Sequence, residues 1–283
     1  MSDRLFICTD LDRTLIPNGP QPESPRARER FAALVSRPEV SLAYVSGRHR
    51  ELVAQAIEGY ALPQPDFVVG DVGATIYRVG PDALWEFDTD WEAEIAPDWA
   101  EHSHDWLAGM LADIPGLRLQ EPEKQNRFKL SYYTTLDAFG DGLARQIEAR
   151  LTEAGIHSRV ISSIDEEAGA GLLDVLPRGA SKLHAIEALM RYHDFDPADT
   201  VFCGDSGNDL EVLTSAVPSV LVANAADDVR EQAIEGAAAA GATGQLYIAS
   251  GGLLGMNGCY AAGMLEGIAH FHHETLAWME DGA

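Results

Sequence analysis

The chain has 283 residues, enough to bury a large core and to form one or two domains. Its 45 acidic residues against 20 basic ones give a formal net charge of -25. This charge argues against binding to nucleic acid or to an anionic membrane, because both require a basic surface. No apolar run has the length of a signal peptide or of a membrane span.

The three cysteines, at positions 8, 203 and 259, are odd in number and have no CxxC spacing. Cys8 and Cys203 lie in apolar, strand-like runs, which indicates buried, reduced thiols rather than disulfides. Together with the missing membrane and export signals, this predicts a cytoplasmic protein.

Short apolar runs alternate with amphipathic segments from the N-terminus onward, a pattern typical of βαβ units. Residues 5–8 form an apolar run of the kind expected for a strand buried on both faces of a parallel sheet. Strands are also predicted over residues 42–45 and 67–70, with a hairpin over 72–77. Helices are predicted over 25–36 and 51–58.

The composition changes near Trp85, where four tryptophans share a window that is rich in acidic residues and histidine. Helices are predicted there over residues 98–112 and 138–154, and strands over 127–133 and 157–161. These tryptophans can offer a stacking platform for a sugar, but we expect two or more of them in the core. The segment 86–167 therefore reads as a smaller α+β cap domain of βαβ type, inserted into the first domain.

Strand–helix alternation resumes after this insertion. The pattern predicts strands over residues 172–176, 200–203, 219–222 and 245–249, and helices over 181–193, 208–214, 226–240 and 257–273. The predicted fold is thus α/β, with a Rossmann-like parallel sheet core formed by residues 1–85 and 168–283.

Three predicted strand ends carry unusual polar residues, and parallel strands bring such ends to one edge of a sheet. Asp10 and Asp12 follow the first strand, the Ser46-Gly47-Arg48 segment follows the second, and residues 204–209 follow a later one. The four carboxylates involved repel one another unless a cation lies between them. A hard divalent cation such as Mg²⁺ fits these oxygen ligands, and no histidine or cysteine cluster competes for it. The predicted metal ligands are Asp10, Asp12, Asp205 and Asp209.

Lys182 stands in the first turn of its predicted helix, where the helix dipole disfavours a cation. It shares the core-facing stripe with Ile186 and Leu189, at i+4 and i+7. We therefore expect its ammonium to meet an anion, namely the acidic cluster and the phosphate of a substrate.

Taken together, these residues resemble the haloacid dehalogenase-like phosphatases. That family shows a DxDx[TV] motif, a Ser or Thr at a second strand end, a lysine and a GDxxND motif, in this order. The same order is present here in residues 10–14, Ser46, Lys182 and residues 204–209.

The resemblance implies an aspartyl-phosphate mechanism. Asp10 would attack phosphorus, and Asp12 would protonate the leaving group and later accept a proton from water. Mg²⁺ would be held by Asp10, the backbone carbonyl of Asp12 and Asp205. Asp209 and Asn208 would orient this shell.

The phosphoryl oxygens would be held by residues that follow the second strand and begin the later helix. The implied phosphate contacts are Ser46, the Gly47 amide, Arg48, Asn208 and Lys182.

A closer resemblance, to the sucrose-phosphate phosphatases, covers most of the chain. It is carried by residues 44–48, 72–77, 125–132, 173–182 and 203–209. In that family the cap reads the sugar, which would make Gln125, Asn126 and Lys129 contacts to sugar hydroxyls. Two residues depart from the family's pattern. Arg13 replaces the family's usual asparagine between the second aspartate and the threonine, and Ser46 occupies a position where threonine is common.

The resemblance predicts a Mg²⁺-dependent hydrolase acting on sucrose 6F-phosphate. Related phosphatases for mannosylfructose-phosphate, glucosylglycerol-phosphate or mannosyl-3-phosphoglycerate remain alternatives. A phosphomutase is less favoured, because a large closing cap together with Asp12 also suits water as the final acceptor. A non-catalytic partner of a glycosyltransferase is less favoured, because the catalytic set is intact. We expect a monomer that binds a small sugar phosphate, and docking of the cognate glycosyltransferase stays open.

Overall fold

The computed structural model describes residues 4–136, 141–165 and 169–280. The chain divides into two compact units, Met1–Phe87 with Lys182–Ala283 and the inserted Asp88–Ser181. The inserted unit thus begins close to the predicted residue 86 but extends to Ser181. The predicted second boundary, between residues 167 and 168, lies outside the described residues, and the segment from 170 to 181 belongs to the inserted unit rather than to the core.

The strands of the described residues, in chain order, are β1 (Leu5–Thr9), β2 (Val40–Val45), β3 (Phe67–Gly70), β4 (Thr75–Val79), β5 (Trp85–Phe87), β6 (Arg118–Leu119), β7 (Leu130–Thr134), β8 (Ser158–Asp165), β9 (Ala170–Pro177), β10 (Thr200–Gly204), β11 (Ser219–Leu221) and β12 (Leu246–Ile248). The helices are α1 (Ala27–Val35), α2 (Arg50–Gly59), α3 (Thr89–Ile95), α4 (His104–Leu111), α5 (Asp141–Glu153), α6 (Lys182–His193), α7 (Leu210–Leu213), α8 (Asp227–Ala239), α9 (Ala261–Phe271) and α10 (Thr275–Glu280). None of these helices is long and apolar enough to cross a membrane.

The larger unit is built on an eight-stranded sheet in the order β12-β11-β10-β1-β2-β3-β4-β5. The six strands from β12 to β3 pair in parallel, and β4 and β5 add an antiparallel edge. Every residue of β1 and of β10 is buried, as expected for central strands of a parallel sheet that is covered on both faces. The predicted Rossmann-like α/β core is therefore confirmed.

The inserted unit holds a four-stranded sheet in the order β6-β7-β9-β8, and all of its strand pairs are antiparallel. The predicted strand–helix–strand order is present as β7, α5 and β8, but β7 and β8 do not pair with each other. Instead β9, which the sequence analysis assigned to the core, lies between them and is antiparallel to both. Trp91 and Trp99 are buried, which confirms the prediction that two of the tryptophans belong to the core.

The helix predicted over residues 98–112 is interrupted. Ala100 and Glu101 have φ angles of 49° and 64°, a left-handed conformation that ends the preceding turn, and α4 begins only at His104. Ser103 caps this helix by accepting a hydrogen bond from the Trp106 amide at 3.2 Å. The predicted start of the next helix, at Ala138, lies outside the described residues, and α5 is described from Asp141.

Candidate active site

The ends of β1 and β10 bring the first two carboxylates together. The strands pair in parallel with Thr9 opposite Cys203, and the Asp10 amide donates to the Cys203 carbonyl at 2.9 Å. Asp10 directly follows β1 and Asp205 directly follows β10, and both side chains are buried in the same acidic cluster. Adjacent parallel strand ends therefore build the site that the sequence predicted at this edge.

Lys182 is the first residue of α6, and its side chain is 1% exposed. Its Nζ donates to Asp10 Oδ1 at 2.9 Å, to Asn208 Oδ1 at 3.0 Å and to Asp209 Oδ1 at 2.7 Å. The prediction that this ammonium faces the acidic cluster is confirmed. The two carboxylates offset the cost of placing a cation in the first helical turn.

Asp209 is held in the loop that follows β10. Its Oδ2 accepts hydrogen bonds from the amides of Asp205 at 3.0 Å and Ser206 at 3.1 Å. A Cβ on Gly204 would lie 2.6 Å from the Asp209 carboxyl carbon, so the carboxylate packs where a side chain would stand. Gly204 is therefore required by the close approach of Asp209 to the backbone.

Burial dominates the protonation of this cluster. It raises the pKa of Asp10 to about 7, although Lys182 opposes the shift, and it raises the pKa of Asp205 to about 6. Burial alone would lower the pKa of Lys182, but its charge interactions and hydrogen bonds with Asp10 and Asp209 raise it above the ordinary value. The ion pairs thus keep the lysine charged inside the protein.

The cluster fits a hard cation. Asp10, Asp205 and Asp209 each offer a carboxylate oxygen, and these three oxygens lie within 4.8 Å of one another. All three residues are buried, so the ionised forms need more compensation than one lysine supplies. Oxygen donors at this spacing, with raised pKa values for Asp10 and Asp205, suit a divalent ion of the Mg²⁺ type.

The Asp12 carboxylate lies outside this group of three and is 40% exposed. It accepts two hydrogen bonds from Arg48, 2.7 Å from Nε and 2.6 Å from Nη2, in a bidentate pair. Asn18 Nδ2 donates to Asp12 Oδ1 at 2.7 Å. Burial raises the pKa of Asp12, but the hydrogen bonds and charge of Arg48 outweigh this and hold the pKa below its usual value.

The segment after β2 lies in the same unit as the acidic cluster. Ser46 is buried, and its Oγ accepts a hydrogen bond from the Arg48 amide at 3.2 Å. The Ser46 carbonyl accepts from the Val72 amide at 3.1 Å, and Val72 itself has a left-handed φ of 60°. This tight backbone fixes Ser46, Gly47 and Arg48 at the end of the strand, as expected from the sequence.

The three predicted sugar contacts lie in the inserted unit and differ in how they are engaged. The Gln125 amide is bonded within that unit: its Nε2 donates to the Ser131 carbonyl at 2.8 Å, and its Oε1 accepts from the Ser131 amide at 2.8 Å. Asn126 Oδ1 accepts from the Phe128 amide at 2.8 Å. Lys129 is buried, with its Nζ 3.8 Å from Asp174 Oδ1. Gln125 thus organises the backbone beside Lys129.

Several residues that the sequence analysis did not assign to the site also support it. Thr14 Oγ1 donates to Asp205 Oδ1 at 3.3 Å. The Asn224 side chain donates to the Arg13 carbonyl at 2.7 Å and accepts from the Tyr260 amide at 2.8 Å. Asn18 belongs to a Pro-Asn-Gly segment, which reads as turn chemistry and gives no sign of a contact to Asp12.

The fold and the site define a phosphoric monoester hydrolase of the haloacid dehalogenase-like class. Residues 3–272 match the family described as sucrose-6F-phosphate phosphohydrolase. The chain belongs to this family.

Individual relatives agree with this assignment. A Nitrosococcus oceani protein, named provisionally as a HAD-like hydrolase, is 52% identical over 100% of this chain and 76% of its own length. A mannosylfructose-phosphate phosphatase of Agrobacterium fabrum is 28% identical over 78% of this chain and 83% of its own length. The sucrose-phosphatase of Synechocystis sp. PCC6803, solved in complex with sucrose and phosphate, superposes with a TM-score of 0.74 at 26% identity, covering 95% of this chain and 98% of that one. This chain spans about half, 52%, of the length of the tobacco sucrose-phosphatases that it matches.

Proposed function

We propose that the chain is a Mg²⁺-dependent phosphatase that hydrolyses sucrose 6F-phosphate to sucrose and phosphate through an aspartyl-phosphate at Asp10. The observation that carries the proposal is the buried lysine: Lys182 Nζ contacts Asp10 at 2.9 Å and Asp209 at 2.7 Å, with Asp205 in the same cluster. A nucleophilic carboxylate, a fixed cation and metal-binding oxygens are the parts that phosphoryl transfer requires.

In the first half-reaction, an Asp10 carboxylate oxygen attacks phosphorus while the bond from phosphorus to the sugar oxygen breaks. Asp12 gives its proton to that leaving oxygen, which departs as a sugar hydroxyl. Lys182 neutralises charge on the transferring group and keeps Asp10 in its position.

In the second half-reaction, water attacks the phosphorus of the aspartyl-phosphate and gives a proton to the Asp12 carboxylate. The bond between Asp10 and phosphorus breaks, which restores the Asp10 carboxylate and releases phosphate. Asp12 thereby regains the proton that it gave to the leaving oxygen.

The Asp10 and Asp205 side chains and the backbone carbonyl of Asp12 would hold the metal, with Asp209 and Asn208 orienting them. Bound there, Mg²⁺ supplies positive charge to the phosphoryl oxygens and lowers the repulsion that an anionic nucleophile meets.

Arg48 has two proposed tasks that alternate. In the structure it pairs bidentately with Asp12, 2.6 Å from Nη2 to Oδ1. Transfer of the guanidinium to a phosphoryl oxygen of the substrate releases Asp12 from the pair that favours its ionised form. Ser46 and the Gly47 amide complete the proposed phosphate contacts.

A phosphate-release panel tests the substrate. Its members are sucrose 6F-phosphate, mannosylfructose phosphate, glucosylglycerol phosphate, mannosyl-3-phosphoglycerate and hexose phosphates, each measured with Mg²⁺ and with EDTA. We expect the highest kcat/KM for sucrose 6F-phosphate and loss of turnover in EDTA. Mannosylfructose phosphate is the first competitor, because the Agrobacterium relative is similar over most of this chain. A higher kcat/KM for mannosylfructose phosphate would make that compound the assigned substrate and leave the proposed reaction unchanged.

Asp10→Asn tests the nucleophile. The amide keeps the shape of the side chain and its place beside Lys182 but cannot attack phosphorus, so we expect turnover to fall about a thousandfold or more. Circular dichroism and thermal unfolding should show a folded protein. Phosphate release by Asp10→Asn near the wild-type rate would contradict the mechanism. If the wild-type chain binds sugar phosphate but shows no turnover, it is instead a non-catalytic binding partner.

A further inference from the structure

Arg13 lies against the acidic cluster although no catalytic role is assigned to it. Its Nε is 3.5 Å from Asp205 Oδ2, and the Arg13 side chain is 44% exposed while that of Asp205 is 4% exposed. Gly19 lies beside the guanidinium: a Cβ on Gly19 would be 3.6 Å from the same Nε, an ordinary contact distance. The pair therefore joins a solvent-accessible cation to a buried carboxylate.

The backbone of Arg13 is fixed in a conformation that an arginine rarely adopts. Its φ is 57°, in the left-handed region that asparagine tolerates better than long side chains do. The Arg13 amide donates to Asn18 Oδ1 at 2.8 Å, and its carbonyl accepts from Asn224 Nδ2 at 2.7 Å. Asn224 in turn accepts a hydrogen bond from the amide of Tyr260, which itself has a φ of 54°. Two independent segments thus hold an arginine where asparagine would be less strained.

The charges in the cluster show what the side chain does there. Asp10 and Asp209 both contact Lys182, whereas Asp205 is held at 3.5 Å by Arg13 and at 3.3 Å by the neutral hydroxyl of Thr14. Arg13 therefore supplies positive charge to a carboxylate that the metal also uses.

We infer that the Arg13 guanidinium is a resident counter-cation of Asp205 that a divalent metal must displace, so that this side chain weakens the affinity of the site for the metal. The inference rests on the metal site of the proposed function. It follows from charge and exposure: a cation on Asp205 repels a second one, and the exposed side chain can turn into solvent. Arg13 then reduces repulsion in the metal-free site and limits how tightly the loaded site holds its ion.

Titration calorimetry of Mg²⁺ into EDTA-stripped protein tests this directly, without an activity assay. In Arg13→Asn, Mg²⁺ no longer has to break the ion pair with Asp205 and is no longer repelled by the guanidinium. Because this pair is partly exposed, the gain in affinity should be modest, and we expect a Mg²⁺ Kd about threefold lower or more. Arg13→Gln, which is neutral and nearly as long, should tighten binding similarly. Arg13→Lys keeps the charge and should remain closer to the wild type. The rise in Tm on adding Mg²⁺ should be larger for the two neutral variants.

Arg26→Asn is the matched control. Arg26 also has a left-handed φ, 65°, and lies in the same unit, but its salt bridge is to Glu29 at 3.4 Å. This change removes one positive charge and relieves one strained arginine, and we expect the Mg²⁺ Kd to stay at the wild-type value. Unchanged or weaker Mg²⁺ binding by Arg13→Asn and Arg13→Gln, with wild-type binding intact, overturns this inference alone. Absence of Mg²⁺ binding by the wild type and by every variant overturns the metal site as well.

Discussion

Arg48 and Asn18 hold the Asp12 carboxylate between them. Arg48 donates twice, and Asn18 donates once at 2.7 Å while its own oxygen accepts from the Arg13 amide at 2.8 Å. Asn18 thereby connects the proposed acid to the backbone of the DxD segment. If Arg48 transfers to the phosphate of the substrate, Asn18 is the side chain that continues to orient Asp12.

Asn18→Ala tests this positioning. Removal of one hydrogen bond to a partly exposed carboxylate should lower kcat about tenfold and change KM little, because Asp12 acts on the leaving group rather than on binding. Steady-state kinetics on the best substrate of the panel measure both constants. Gln232→Ala, which removes a surface amide that bonds only to the Asp228 carbonyl at 3.1 Å among the contacts described here, is the control. A kcat within twofold of the wild type would show that Asn18 does not position Asp12.

At the scale of an element, the segment from β10 into α7 is the part of the core that the site depends on most. The strand delivers Asp205, and the loop after it folds the Asp209 carboxylate back onto the amides of Asp205 and Ser206. That return is possible only because Gly204 has no side chain. The same carboxylate then receives Lys182 from the start of α6, so three elements meet at one residue.

Gly204→Ala should damage stability and activity together. The added Cβ would lie 2.6 Å from the Asp209 carboxyl carbon, a contact that requires backbone or side-chain movement in a packed region. We expect a loss of about 1–3 kcal/mol in the free energy of unfolding. Urea unfolding of the wild type and the variant in EDTA measures this difference in the free energy of unfolding.

Gly207→Ala is the matched variant in the same loop. A Cβ at Gly207 meets no atom within 4 Å among the described residues, and its φ is not in the left-handed region. Its free energy of unfolding should stay near the wild-type value. Equal effects of the two substitutions would mean that the loop as a whole, rather than the approach of Asp209, limits stability.

At the scale of the whole molecule, the proposed chemistry and the proposed sugar recognition belong to different units. Every residue of the acidic cluster, together with Lys182 and Arg48, lies in Met1–Phe87 or Lys182–Ala283. Gln125, Asn126 and Lys129 lie in Asp88–Ser181. In that unit Lys129 combines burial with a cationic group 3.8 Å from Asp174, and it is the residue on which we base the test of recognition.

Lys129→Met should raise KM for the best sugar phosphate about tenfold, with a smaller change in kcat, if the ammonium binds sugar hydroxyls. Methionine retains the length of the side chain and avoids a cavity. Lys124→Met is the control, because Lys124 lies in the same unit but donates to the Tyr133 hydroxyl at 2.7 Å. Thermal unfolding separates a binding defect from a structural one. A KM unchanged by Lys129→Met would remove this residue from the proposed sugar site.

The proposed catalytic centre could be predicted from the sequence because the positions of its residues follow from general rules. Parallel strand ends share an edge, which brought Asp10 and Asp205 together, and the helical stripe of Lys182 pointed inward towards them. Asn18, Asn224 and Tyr260 were not predicted, because their contacts join segments far apart in sequence and depend on turns with no distinct pattern. The break at Ala100 and Glu101 was missed for a related reason: neither residue type favours the left-handed conformation that both adopt.

The domain boundary at Ser181 and Lys182 has a consequence for how such proteins diverge. The residues of the proposed phosphate chemistry are encoded on either side of one continuous stretch of about a third of the chain, 88–181. If the inserted unit binds the sugar as proposed, substitutions within that stretch can alter which sugar is accepted while the aspartates and the lysine stay unchanged. On this proposed division of roles, new specificities can arise by changes confined to one internal segment of the sequence.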